Sequence, residues 1–254
     1  MKQIKSTKIS TRDQARWGFQ LMASIENPKG RKAREIGYLN AILYMAPAST
    51  AGVGNLCPFA GSCAKLCLGE HSGQAAIGAP EKNAAIRARK ARAKAYMTDR
   101  AAFLAYVVKD VERCARVARK LRMRLCYRFN GSTDVGVPAW LIERFPSVEF
   151  IDYTKNPTKI DQYLDGKLPR NYSVTFSRDT HNEWKCDDVL ARGGNVAVVF
   201  DMPPTSWHGA PVIDGDAHDV RIPALDGRGN VIGLVPKGRK AKRDTSGFVV
   251  RAAA

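Results

Sequence analysis

The sequence predicts an α/β protein of parallel βα repeats, an open or partial TIM-like barrel that carries a basic N-terminal arm. Apolar runs RLCYRF, VEFIDY, YSVTF and NVAVVF begin every 20 to 25 residues, with helix-like or turn segments between them. Strands that alternate with helices imply crossover connections and a parallel sheet. The chain has 254 residues and is 44% hydrophobic, enough to bury one large core. Polar side chains follow each run, as expected where ligand sites gather beyond the carboxyl ends of parallel strands.

Residues 1–36 read as the basic arm, with a short helix around TRDQARWGFQLMASI and a turn at NPKG, and residues 37–254 as a single domain. GYLNAILYMAPAS supplies the first buried strand, which opens into a cysteine loop over residues 55–73. Residues 80–97 are rich in Ala, Lys and Arg without an internal breaker and predict a helix. A second helix runs from Asp99 to Leu121. Val107, Val111, Cys114, Ala118 and Leu121 form its packing face, and Lys109, Arg113, Arg116 and Lys120 the opposite stripe.

The net charge of +17 is segregated. Residues 1–35, 81–124 and 236–254 carry excesses of +6, +10 and +5, whereas residues 125–235 hold 11 basic and 15 acidic side chains. A slightly acidic body in a basic coat points to a polyanion partner, most simply nucleic acid. Arg87, Lys90, Lys94, Lys109, Arg113, Arg116 and Lys120 are its candidate contacts. No apolar stretch approaches the roughly 18 residues of a membrane span, and the N-terminus lacks a signal-peptide core. Six cysteines in so long a chain do not make a disulfide scaffold. The expected setting is the cytoplasm of a bacterial host cell, with no membrane partner.

Cys57, Cys63 and Cys67 crowd into LCPFAGSCAKLCLGEHSGQ with the spacing C-x5-C-x3-C, and His71 lies four residues after Cys67. Three thiolates on one short loop suit a thiophilic metal centre. Zinc would take all four residues as a closed Cys3His site. An iron-sulfur cluster would take the three cysteines and leave the fourth iron to a small ligand, to Cys126 or to Cys186. The loop directly follows the first strand, where enzymes that bind S-adenosylmethionine on a three-cysteine cluster place theirs. Their usual spacing, C-x3-C-x2-C, is different.

The remaining candidates sit at strand ends. RLCYRF brings Arg128 and leads to Asn130, Ser132 and Asp134, and YSVTF leads to Ser177 and Arg178. VEFIDY contains Asp152 and is followed by Lys155. A carboxylate within so apolar a run needs a partner, such as Lys155, Arg128 or a metal. Asp214, Asp216, His218 and Asp219 in VIDGDAHDVRI form either a second cation site, through Asp214 and Asp216, or a hydrogen-bonded turn.

CPFAGSCAKLCLGEHSG, RFNGSTD, FIDYTKN, NYSVTFSR, NVAVVF, VIDGD and GLVPKG occur in this order. With them the chain resembles the gene-product-eighty-eight-like family of phage and plasmid proteins, a domain of unknown function, over residues 37–250. The resemblance implies a mobile-element origin. It also groups the cysteine loop, Asp134, Asp152 to Lys155, Ser177 and Asp214 to Asp219 as one functional set.

The leading expectation is an iron-sulfur enzyme of radical-SAM-like architecture acting on nucleic acid or nucleotides. Asp134, Asp152, Lys155, Ser177 and Arg178 would be catalytic, and Arg128, Asn130 and Ser132 would hold cofactor. The alternatives are a zinc-stabilised nucleic-acid-binding protein without catalysis and a divalent-metal-dependent nuclease.

Overall fold

Helix starts and strand registers follow from local chemistry. The computed structural model describes residues 23–25, 28–67 and 79–251. Asn83 caps helix α2 (Ala84–Thr98) by accepting the N–H groups of Ala85 and Ile86 at 2.9 and 3.1 Å. Asp99 does the same for α3 (Arg100–Lys120) through Ala102 N–H. These side-chain acceptors satisfy amides that have no partner within the helix, so the helix boundaries fall there. Of NPKG, expected as a turn, Asn27 lies outside the described residues and Pro28 to Gly30 open helix α1 (Pro28–Glu35).

The four expected apolar runs and the strand before them become β1 (Tyr38–Ile42), β2 (Arg124–Arg128), β3 (Glu149–Thr154), β4 (Tyr172–Ser177) and β5 (Val196–Phe200). They pair in parallel and in sequence order. Between them run α2 and α3, then α4 (Ala139–Glu143), α5 (Pro157–Leu164) and α6 (Cys186–Ala191). Beyond β5 the chain adds β6 (Ser206–Trp207), β7 (Ala210–Asp214), α7 (Pro223–Asp226), β8 (Val231–Leu234), α8 (Gly238–Lys242) and β9 (Val249–Val250). The nine-stranded sheet has the order β1-β2-β3-β4-β5-β8-β7-β6, with β9 added to the end of β5. All these pairings are parallel except β6–β7. The sheet stays open: it ends on the β6–β7 hairpin, without closing into a barrel.

Alternation along the strands divides the core. Leu125, Tyr127 and Phe150 join the main core, to which α3, α4, α5 and α6 also contribute. Tyr38, Cys126 and Ile151 face the other way and pack with Ala33 of α1 and with Val220 and Ile222 of the segment before α7. On that second face Arg221 is 2% exposed and pairs with Asp226 at 3.3 Å.

Residues 11–22 of the helix expected in the basic arm lie outside the described residues, and the described end of the arm, residues 23–25, is extended. Ser24 bridges Ile42 antiparallel to β1. Ala23 N–H donates to the buried Asp110 at 2.8 Å, and Asp110 also accepts from Tyr127 Oη–H and Arg113. Arg113, expected on the exposed basic stripe, is therefore buried at 4% exposure. Its guanidinium folds back on a carboxylate one helical turn earlier, on the packing face, and a charge so buried needs that partner.

Asp226 generates a pH test. Burial outweighs the nearby Arg221 and raises its pKa from 3.8 to about 6. The folded state thus holds this proton more tightly than the unfolded chain, so the group's contribution is largest below the ordinary carboxylate range and is lost as pH rises through about 6. From pH ~4 to ~7, wild-type stability is expected to fall by about 2 kcal/mol relative to Asp226→Asn. Urea unfolding of both proteins at the two pH values measures this difference.

Candidate functional site

At the carboxyl edge of the sheet, two buried carboxylates and one partly buried carboxylate meet loops whose N–H groups need acceptors. Asp152 on β3 is 1% exposed. It accepts Asn130 N–H at 2.9 Å, the Asn130 side-chain amide at 2.8 Å and Tyr172 Oη–H at 2.7 Å. Its protein partners are therefore Asn130 and Tyr172, with Lys159 of α5 at 3.6 Å, rather than the expected Lys155 or Arg128. Asn130 Oδ1 in turn accepts Thr133 Oγ1–H and Val135 N–H, shaping the loop after β2. That loop passes so close to β1 that a Cβ on Gly131 would stand 2.7 Å from the Leu43 carbonyl.

Asp134 is held next to this clamp. Thr154 Oγ1–H and Lys155 N–H each donate to it at 2.8 Å, and Lys159 stands 4.0 Å away. Burial pushes the Asp134 pKa up, while Lys159 and the donors oppose the rise. Lys155 turns its ammonium to Ser177 Oγ at 2.9 Å and to the carbonyl of Arg178 at 3.2 Å. Arg178 itself binds the carbonyls of Gly247 and Phe248 and pairs with Glu183.

Asp179, which the sequence reading did not single out, is the third carboxylate and is 0% exposed. It accepts Ser62 N–H at 3.2 Å and Cys63 N–H at 3.1 Å, and so fixes the cysteine loop to the end of β4. Asn182 orients it by accepting Asp179 N–H at 2.6 Å. Burial favours its protonation, but Lys155 and the N–H donors outweigh that and hold its pKa low. An aspartate three residues before an asparagine at a strand exit was the available signal, and it reads as ordinary turn chemistry.

Cys57, Cys63 and Cys67 form no disulfide and are all partly buried. Cys57 Sγ accepts Ala48 N–H at 3.3 Å and faces the Ser132 carbonyl at 3.7 Å. Ser132 itself donates to the Met45 carbonyl. Burial pushes the Cys57 and Cys63 thiols up to about 11. Cys67 and Asp134 add to the rise at Cys57, and Lys155 opposes it at Cys63. The loop thus reaches the clamped edge at two points. Among the described residues, no three His, Cys, Asp or Glu side chains stand together as a metal-holding group. His71 lies outside the described residues.

The other candidates are placed elsewhere. Cys126 is sealed in the second-face cluster, and Cys186 is buried in the main core, which pushes its thiol up to about 12. Asp214 and Asp216 form a hydrogen-bonded turn: Asp214 accepts Asp216 N–H, and Asp216 accepts Val235 N–H and pairs with Lys237. Asp219 separates from them and reaches Arg128 at 3.4 Å, while Arg128 also donates to the Asn130 carbonyl. Arg87, Lys90, Lys94, Lys109, Arg116 and Lys120 are exposed on α2 and α3.

Fold and edge together define a class: an open parallel α/β protein with a cysteine loop pinned across its carboxyl edge. The chain belongs to the Gene product 88 family, whose model matches residues 20–252, in keeping with the expected phage-type origin. No curated protein and no solved structure matches it. Among the described residues, no helix is long and apolar enough to cross a membrane.

The role of Asp179 is open to test. Asp179→Ala leaves two loop N–H groups without an acceptor and removes a carboxylate that disfavours the Cys63 thiolate. The expected results are a loss of about 1–3 kcal/mol in stability and faster alkylation of Cys63. Thiol-labelling kinetics followed by peptide mapping measure the second effect. An unchanged rate would mean that other contacts hold the loop.

Proposed function

We propose that the protein binds nucleic acid through the basic stripes of α2 and α3, and that its three cysteines form a zinc staple securing the carboxyl edge. One contrast carries this reading. Asp134, Asp152, Arg128 and Arg178 are bound to main-chain groups, whereas the exposed charge lies on two helices. Arg87, Lys90 and Lys94 are spaced to share one face of α2, and Lys109, Arg116 and Lys120 one face of α3. Such stripes meet phosphates without reading bases. Three thiolates fit zinc by donor chemistry, and metal binding would supply the driving force to deprotonate thiols that burial keeps neutral.

A second reading is favoured by where the loop emerges. It follows β1 at the carboxyl edge of a parallel sheet, which suits an iron-sulfur enzyme of radical-SAM-like architecture that binds S-adenosylmethionine and acts on nucleic acid or nucleotides. The cluster would be held by Cys57, Cys63 and Cys67 and would supply an open iron. A nuclease using Asp134, Asp152, Asp214 and Asp216 is the weaker reading. The Lys159 ammonium, 3.6 Å from Asp152 and 4.0 Å from Asp134, already sets one positive charge beside that pair.

Metal analysis of anaerobically prepared protein separates the first two readings. The zinc reading expects colourless protein with one zinc per chain. Brown protein with cysteine-bound iron would replace it with the iron-sulfur reading. Because the Cys57 and Cys63 thiols lie at about 11, zinc affinity is expected to climb steeply with pH as protons are released.

Binding is expected to weaken steeply with salt. Lys90→Glu with Lys94→Glu should weaken it uniformly across sequences and lower the salt slope by about 1 per charge removed. Fluorescence anisotropy at several salt concentrations reads both effects. Affinity independent of salt would exclude the basic stripes as the interface.

A further inference from the structure

We propose that the nucleic acid held by α2 and α3 is single-stranded, and that Trp140 on α4 is the platform on which one of its bases stacks. This rests on the basic-stripe reading and names the substrate class that those stripes hold.

Two ties lay α4 alongside α3. At one end Arg100, the first residue of α3, donates to the Gly136 carbonyl in the loop before α4 at 3.3 Å. Tyr96 Oη–H donates to the same carbonyl, and the Arg100 guanidinium stands 4.9 Å over the Tyr96 ring. At the other end Arg144 reaches Glu112, in the middle of α3, at 3.8 Å. Trp140 falls between the two ties. Arg144 N–H donates to the Trp140 carbonyl at 3.1 Å, one helical turn back, so the two side chains share a side of that turn. It is the side from which Arg144 crosses to α3, while Leu141 and Ile142 turn into the core.

Trp140 is thereby left 50% exposed beside the junction of α3 and α4. Single exposed apolar side chains are common on protein surfaces; the charge around this one sets it apart. Arg100 and Arg144 flank it and are exposed. On α3, exposed Lys109 and Arg116 lie one turn before and one turn after Glu112, so the basic stripe runs past the same tie. The Arg144–Glu112 pair is exposed at both ends and so holds Arg144 only weakly, which leaves the guanidinium able to exchange its carboxylate for a phosphate. Trp184 makes the contrast. It is 70% exposed, but it sits between Glu183 and the pair Asp187 and Asp188, and the neighbouring Lys185 is already bound to Asp161 and Asp188 at 2.8 Å. A polyanion would be repelled from one tryptophan and drawn to the other.

An indole can stack only on a base whose face is uncovered. A duplex covers those faces and offers the stripes its phosphates alone, whereas a single strand offers both. Stacking of this kind is sequence-tolerant, because every base has a π-face, and it adds to the phosphate contacts of the flanking cations.

The test uses the full chain and a labelled mixed-sequence DNA strand of about 20 nucleotides, longer than one such binding site, alone and annealed to its complement. Fluorescence anisotropy reads affinity, and indole emission is followed in parallel. Wild type is expected to bind the single strand more tightly than the duplex, with quenching of indole emission. Trp140→Ala should weaken single-strand binding at least ~5-fold and remove most of the quenching, with duplex affinity and the salt slope unchanged. Trp140→Phe should keep most of the affinity, and Trp184→Ala should move no readout. Equal affinity for strand and duplex in wild type would overturn the proposal. So would a Trp140→Ala variant that binds the single strand as wild type does, or one that loses strand and duplex binding alike. In each of these cases, weakening by Lys90→Glu with Lys94→Glu would leave the basic-stripe reading standing. Failure of wild type to bind either form would instead remove that reading, and this proposal with it.

Discussion

A carboxylate inside a protein must find hydrogen-bond donors for its oxygens or give up its charge. At the carboxyl edge of this sheet that requirement sets the positions of the loops. Asp152 takes donors from Asn130 and Tyr172, Asp134 from Thr154 and Lys155, and Asp179 from Ser62 and Cys63. Each carboxylate serves a neighbouring segment. Asp152 on β3 binds the loop after β2, Asp134 on that loop binds the end of β3, and Asp179 after β4 binds the cysteine loop after β1. The chain is tied sideways across its strands by these bonds, so the edge is positioned as one unit.

The same bonds change what the polar residues there can do. A group that accepts two or three donors and is nearly excluded from water is a poor proton acceptor for a substrate, because each donor would first have to be abandoned. Asp152 fits that description. Lys155 directs its cation at carbonyl oxygens at the end of β4, and Arg178 at those just before β9, which steadies irregular backbone at both places. Much of the polarity that follows the strands is therefore internal scaffolding. The thiols differ: they are only partly buried, which leaves them nearer to solvent than Asp152 or Asp179.

Much of the fold was legible because burial leaves a strong trace in sequence. Strands β2 to β5 are continuous apolar runs, as strands covered on both faces must be, and α3 shows one wet and one dry face. The later strands were not legible. β6 and β9 have two residues each, too short for any periodicity. Arg113 lies at helical spacing with exposed cations, and only the tertiary approach of Ala23 and Tyr127 to Asp110 explains its burial. The strand-end residues were found by position, but their partners could not be. Asp152 was recognised as a carboxylate in need of a partner, yet choosing between Lys155 and Lys159 depends on which way α5 leaves β3.

The two faces of the sheet also place opposite demands on charge. On the second face Arg221 and Asp226 are enclosed with few donors or acceptors, and burial prevails over the ion pair enough to raise the Asp226 pKa to about 6. At the carboxyl edge Asp179 is just as enclosed, but N–H donors and Lys155 hold its pKa low. Burial alone thus does not decide whether a carboxylate keeps its charge; the number of donors aimed at it does. By that measure Asp179 remains an anion at neutral pH, in contact with the cysteine loop and facing His181. A cation brought to this edge would meet fixed negative charge already in place, while a phosphate would be drawn to the exposed arginines and lysines of α2 and α3.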